Sequence, residues 1–192
     1  MNEGLVYNNI RFEFSDIDQA SAFATLFTGS NPCFSGIAGD KTFDFEKEKE
    51  VSILNDPEYL GNYTKENYSP KNLFSSTIGD ELKIASQGRS DVYSIAPDAE
   101  SAILSAGHAA NGAFWMDNTN GKWATTTYYK GIPWYVDRYN NGPESLASRL
   151  ETMVWTPTLP MEKYNAFPYV LDDLPFRYTF SEKFANCYPN LK

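Results

Sequence analysis

The sequence predicts an α/β fold: part of a mainly parallel sheet flanked by helices, with a β-hairpin inserted beside it. Three observations carry that expectation. A period-two segment near the start runs directly into a helical one, the same order recurs over residues 91–105, and an Asn-Thr-Asn-Gly turn separates two aromatic segments. Strands feeding straight into helices are the unit of α/β proteins, whose sites gather at the carboxyl ends of the strands.

Ile10, Phe12 and Phe14 alternate with Arg11, Glu13 and Ser15, which predicts a strand with one core-facing side. Asp16 and Asp18 then offer caps for a helix through Ala20, Ala22, Phe23, Ala24, Leu26 and Phe27, stopped at Thr28-Gly29-Ser30-Asn31-Pro32. From Lys41 to Glu50, charges alternate with Phe43, Phe45 and Val51, the pattern of an exposed edge strand or hairpin. Asn55 to Tyr68 reads as a loop. Ser69-Pro70 pairs a capping hydroxyl with proline, predicting a helix start followed by a core-facing stripe of Leu73, Phe74, Ile78, Leu82 and Ile84. Gly79 inside that helix would cost about 1 kcal/mol against alanine, which implies close packing there.

Asp91–Ile95 and Ala99–Ser105 read as a strand and a helix. Gly112–Met116 and Lys122–Tyr128 read as hairpin arms around Asn118-Thr119-Asn120-Gly121. Pro133–Tyr139 and Glu144–Thr152 read as short helices, and the last forty residues as an extended segment lying over a surface.

The chain has 192 residues, the size of one domain, and its 16% aromatic content excludes a disordered protein. No apolar run approaches the ~20 residues of a membrane span. Sixteen Lys and Arg against 25 Asp and Glu leave a charge of -9, which repels phosphodiester backbones and excludes a nucleic-acid partner. Cys33 and Cys187 have no metal spacing, and both one disulfide and two unrelated thiols remain open. Met1-Asn2-Glu3-Gly4 lacks the charged start and apolar core of a signal peptide, so none is expected in this chain.

His108 is the single histidine, so no multi-histidine zinc site can be built from this chain alone, and a Ser-His-Asp arrangement could use no other. Its expected role is structural. Asp16, Asp18, Asp40, Asp98 and Glu100 fall where strands give way to helices or loops, positions that suit metal ligands or a general base. Helix capping accounts equally for Asp16, Asp18 and Asp98. No glycine-rich phosphate loop occurs.

Thr28-Gly29-Ser30-Asn31-Pro32 followed by Gly36-Ile37-Ala38-Gly39-Asp40 resembles the segment after the nucleophile in the alkaline phosphatase superfamily. The branches it is most similar to are the type I phosphodiesterase/nucleotide pyrophosphatases and the phosphate-irrepressible monoesterases. Ser69-Pro70-Lys71-Asn72-Leu73 with Thr77-Ile78-Gly79-Asp80-Glu81-Leu82 resembles a later helix of the monoesterase branch. So does Ala102-Ile103-Leu104-Ser105-Ala106-Gly107-His108 continuing to Ala113-Phe114-Trp115.

The resemblance implies a single domain over 1–192 like the front half of a catalytic domain: a nucleophile-helix region (1–40), a hairpin and loop (41–68), a helix-strand-helix with hairpin (69–142) and a lid-like extended segment (143–192). It also implies departures at the site. The nucleophile position, nine residues before the Thr of Thr-Gly, holds Gln19, whose amide cannot form a phospho-enzyme. The Asn position holds Asp40, and the Lys and Arg positions of the phosphate clamp hold Asp98 and Glu100. A carboxylate repels a phosphate dianion and cannot donate to it. The expected function is therefore a catalytically inactive relative with a binding or scaffold role. The alternative is a metal-dependent phosphomonoesterase or phosphodiesterase whose metal-ligand segments lie outside this chain, with Ser21 or Thr25 substituting as nucleophile.

No cofactor or metal ligand is expected within the chain; the resemblance implies two zinc ions for an active parent. The chain is expected to be an internal piece of a longer, periplasmic or extracytoplasmic protein. An exposed sheet edge is expected to favour self-association.

Overall fold

Asp18 starts the first helix because its carboxylate can satisfy amides that the helix leaves open. It accepts from Ser21 N at 2.8 Å while Ser21 Oγ accepts from Asp18 N, a reciprocal capping box. Helix α1 (Gln19–Thr28) ends at Gly29, whose φ of 68° is the left-handed conformation glycine adopts most readily. The computed structural model describes residues 4–9, 11–12, 14–15, 17–45, 47–146 and 148–149, with the backbone of 170–171 and 174–175. Residues 11, 12, 14 and 15 are not in a strand, although the Phe12 and Phe14 rings do share a side, 5.4 Å apart. Alternation marks a strand only where a neighbour pairs with it, and no described strand flanks this segment. Asp16 lies outside the described residues.

Pro32 opens the one-turn helix α2 (Pro32–Ser35) rather than only ending its predecessor. The charged segment is a hairpin: β1 (Lys41–Asp44) pairs antiparallel with β2 (Lys49–Ser52). The loop before Ser69 contains β3 (Gly61–Asn62). There follow α3 (Ile78–Ala85), β4 (Tyr93–Ala96), α4 (Ala99–Ala106), β5 (Gly112–Met116) and β6 (Trp123–Thr126). The main sheet runs β3-β6-β5-β4. It is mixed: β4 and β5 are parallel across α4, while β3 runs antiparallel to β6. The α/β expectation holds, and its parallel part is this one crossover unit. Ala20 and Ala24 of α1 and Ala102, Ile103 and Leu104 of α4 are fully buried with Ile37, so small residues let the two helices pack closely.

The predicted helix at Ser69-Pro70 is a turn instead. Ser69 Oγ donates to buried Asp56 at 2.6 Å, and Leu73 N closes one turn onto Pro70 O. The helix proper starts at Thr77, whose hydroxyl accepts from Asp80 N at 3.2 Å while Asp80 accepts from Thr77 N. The predicted core-facing stripe is corrected too. Only Leu73 is buried, whereas Phe74, Ile78, Leu82 and Ile84 are exposed. What α3 buries is Gly79 and Asp80. A Cβ on Gly79 would stand 2.9 Å from Val92 Cγ1, which is the close packing its glycine implied.

Asp80 explains that orientation. Its carboxylate accepts from Thr77 N (2.9 Å), His108 N (2.9 Å) and Ala109 N (2.7 Å), and His108 Nδ1 lies 3.4 Å away. Burial alone would raise its pKa, but these bonds hold the carboxyl far below the usual carboxylate range. His108 is raised by the same pairing, against its partial burial. The histidine is thus structural, as expected. Gly107, φ 73°, passes so close to Thr77 and Asp80 that a Cβ would collide with both.

The described residues form two compact units, one of 1–115 with 124–131 and one of 116–123 with 132–192. In the second, Asp117 Oδ1 accepts from Thr119 N at 2.8 Å and shapes the turn between the hairpin arms. Helix α5 (Trp134–Asn140) follows, with Asn140 bonding the Trp123 backbone in both directions. Residues 146, 148 and 149 are helical, within the short helix expected there. Strands β7 (Val170–Leu171) and β8 (Leu174–Pro175) pair antiparallel. Cys187 and the rest of the predicted extended segment lie outside the described residues. Among the described residues no helix is long and apolar enough to cross a membrane.

Asp80→Ala should destabilise the fold by roughly 3–5 kcal/mol, because three backbone amides, one of them fully buried, lose a charged acceptor; the midpoint of urea unfolding reads this directly. His108 gives a second, pH-resolved outcome. Its folded pKa is raised, so its contribution is complete below about 6.5 and is lost as pH rises through the folded value. His108→Gln should therefore flatten the fall in stability above that pH, and an unchanged slope of unfolding free energy against pH would contradict it.

Candidate functional site

The amino-terminal ends of α1 and α4 meet, and every described residue the sequence assigned to the site lies on them or on the loop beside them. Gln19 is the first residue of α1 and is exposed. Its Nε2 donates to Asp98 Oδ2 and to Ser101 Oγ, both at 2.7 Å. Asp98 is also the cap of α4, accepting from Ser101 N at 2.8 Å through its other oxygen. Ser101 Oγ donates to Asp98 Oδ2 at 3.0 Å. Amide, hydroxyl and carboxylate therefore form a closed triangle of bonds across the two helix starts.

Asp18 carries a second duty. One carboxylate oxygen caps α1, and the other accepts from Asp40 N at 2.6 Å, fixing the Gly39-Asp40 loop against the helix. Against its partial burial, the bonds from Ser21 and from the Asp40 amide hold its carboxyl below the usual range. Glu100 shows the opposite shift: burial pushes it up, and the charges of Asp98, Asp40 and Asp18 push it further. The structure thus brings Gln19, Asp40, Asp98 and Glu100 into one acidic neighbourhood. The positive ends of two helix dipoles face it and help it to persist.

Other candidates fall elsewhere. Ser21 is fully buried and committed to the α1 cap, and Thr25 Oγ1 is buried without a hydrogen-bond partner, one turn further on. His108 follows the opposite end of α4, roughly 12 Å away at 1.5 Å per helical residue. Cys33 is an exposed free thiol. The sequence reading missed Ser101; its signal was the Asp98-x-x-Ser101 spacing, which places it at the third helical position opposite its cap.

The two zinc ions that the resemblance implies do not fit these residues. Among the described residues no group of three or more His, Cys, Asp or Glu could hold a metal, and the histidine is engaged with Asp80.

No family model matches the chain. It is 35% identical over 169 residues to the alkaline phosphatase PafA of Elizabethkingia meningoseptica, covering 85% of this chain and 31% of that protein. It is 31% identical over 195 residues to the alkaline phosphatase PhoV of Synechococcus elongatus, covering all of this chain and 35% of that one. Crystal structures of PafA superpose with a TM-score of 0.71, the wild type at 29% identity over 88% of this chain and 35% of its own. The second is a variant substituted at a threonine, an asparagine, a lysine and an arginine, at 30% identity over 90% of this chain and 35% of its own. The chain thus spans about a third of the length of the curated relatives it matches. Over that third, in sequence and in fold, the chain belongs to the alkaline phosphatase superfamily.

Proposed function

We propose that this is an alkaline-phosphatase-like domain that has given up phosphoryl transfer and serves in binding or as a scaffold. The observation that carries the reading is the Gln19 amide bonded to Asp98 and Ser101 at the junction of the two helices. The spacing of the substituted PafA variant supports it. Its threonine and asparagine lie twenty-one positions apart and its lysine and arginine two, as do Gln19 and Asp40, and Asp98 and Glu100, here. In this reading a nucleophile has become an amide, which cannot form a phospho-enzyme, and two cations have become carboxylates.

The electrostatics favour the same reading. Two like unit charges about 4 Å apart at an effective dielectric near 20 repel by roughly 4 kcal/mol before screening. Each ~1.4 kcal/mol on a barrier is a factor of ten in rate. Asp98 and Glu100 would repel an incoming dianion where clamp residues would attract it. The phosphate-irrepressible monoesterase branch is preferred over the nucleotide pyrophosphatases because the relatives are named alkaline phosphatases. An extracytoplasmic setting belongs to the same reading.

The purified chain should not hydrolyse aryl phosphate mono- or diesters above background, with or without added zinc, in a chromogenic assay. Gln19→Thr should not restore turnover, since the carboxylates stay in place. Zinc-dependent turnover by the unmodified chain, abolished by Ser21→Ala or Thr25→Ala, would overturn the reading in favour of an active hydrolase.

A further inference from the structure

We propose that Asn120 is a site of spontaneous deamidation, its carboxamide passing through a succinimide to aspartate and isoaspartate at the tip of the turn between β5 and β6. The chain has three Asn-Gly pairs, Asn111-Gly112, Asn120-Gly121 and Asn141-Gly142. A following glycine has no Cβ to obstruct the approach of its backbone nitrogen to the asparagine side chain, so the sequence makes the three alike. The fold separates them.

Asn111 is pinned to another part of the chain. Its Nδ2 donates to Asp91 Oδ1 at 2.8 Å, its Oδ1 accepts from Val92 N at 3.0 Å, and Gly112 is buried in β5, opposite Tyr93. The Asn141 carboxamide is turned back onto the helix it closes. Its Nδ2 donates to Asp137 O at 3.1 Å, and its Oδ1 accepts from Lys122 Nζ at 3.0 Å. In both, side-chain bonds must break before the next peptide nitrogen can reach Cγ.

Asn120 is exposed, and its Oδ1 accepts from Lys122 N at 2.8 Å. That bond closes an Asx turn, which folds the carboxamide over the Gly121 nitrogen it encircles. The same N–H is aimed at the oxygen on which charge develops when that nitrogen adds to Cγ, so it stabilises the intermediate. The opposing effect is the Gly121 N–H, which donates to Asp117 O at 2.9 Å. Its release is a local opening at an exposed turn tip, which costs far less than unfolding.

In the reaction Gly121 N gives its proton to solvent base and bonds to Cγ. The Cγ–Nδ2 bond then breaks, and ammonia leaves with a proton from water. One water opens the resulting ring at either carbonyl, leaving a carboxylate beside Asp117. Isoaspartate also adds a carbon to the backbone, so residues 120 and 121 can no longer both bond Asp117, to which their amides donate at 3.2 and 2.9 Å.

The test is peptide mapping, with fragment sequencing, of the folded chain after incubation at mildly alkaline pH and physiological temperature. The expected result is the mass gain of an amide-to-acid conversion at residue 120, in aspartate and isoaspartate forms. It should accumulate roughly tenfold faster than at 111 or 141, where further hydrogen bonds must break first. In concentrated urea, where the fold no longer distinguishes them, the three rates should converge. Asn120→Ser keeps a side-chain oxygen for the turn and should lower ammonia release by the folded chain to that of the two remaining sites. An Asn120 that stays intact in the folded chain, equal conversion at 111 or 141, or a ranking that survives in urea overturns the proposal. So does ammonia release that Asn120→Ser leaves unchanged.

Discussion

A buried carboxylate must find donors for its charge or give the charge up, and Asp80 has found them in two parts of the chain distant in sequence. Its own helix supplies Thr77 N, and the loop after α4 supplies His108 N, Ala109 N and the imidazole. Much of the surrounding geometry depends on that junction. Gly107 has to be a glycine because no side chain fits between the loop and Asp80. Tyr129 OH donates to Gly107 O at 2.8 Å and fastens the segment after β6 to the same loop. With its aspartate turned inward, α3 has no choice about its other side, and its branched apolar residues face out.

The acidic site is held together by hydrogen bonds that satisfy its carboxylates. Asp98 is satisfied three ways, by the Ser101 amide, the Ser101 hydroxyl and the Gln19 amide, so its charge is not left unpaired. Gln19 and Asp98 are complementary: a threonine at 19 would leave Asp98 one donor short, and a lysine at 98 would leave the amide facing a cation. Asp18 holds the Asp40 loop through a backbone amide, a contact indifferent to the side chain at 40. The scaffold therefore positions residue 40 whichever side chain it carries. Glu100 is the member whose charge has least support, and it is the one pushed up by burial and its neighbours.

Local signals were legible where local chemistry decides. The Asp18 cap, the Gly29 stop, the hairpin around residues 41–52 and the Asp98 cap of α4 are short-range hydrogen-bonding events, and the sequence announces them. The alternation at residues 11–15 misled because pairing is not local. Ser69-Pro70 misled because the serine hydroxyl had a better acceptor in Asp56, thirteen residues away. The stripe from Phe74 to Ile84 misled most instructively. Its period was right for a helix over its second half, but periodicity reports which residues share a side, not which side the tertiary bonds turn inward. The site positions were found through the family resemblance, whereas Ser101, which joins them, was overlooked.

The closely packed pair α1 and α4 connects scaffold and site. Alanine-rich contact between the helices fixes how near their amino-terminal ends come, and that distance sets which groups at positions 19 and 98 can meet. Gln19 Nε2 and Asp98 Oδ2 stand at hydrogen-bond distance, so the space between the two helix starts is closed by the chain's own side chains. Reopening it would require breaking two bonds and leaving a carboxylate without its amide donor. The same core packing that brings the two helix starts together thus holds this hydrogen-bonded lock shut.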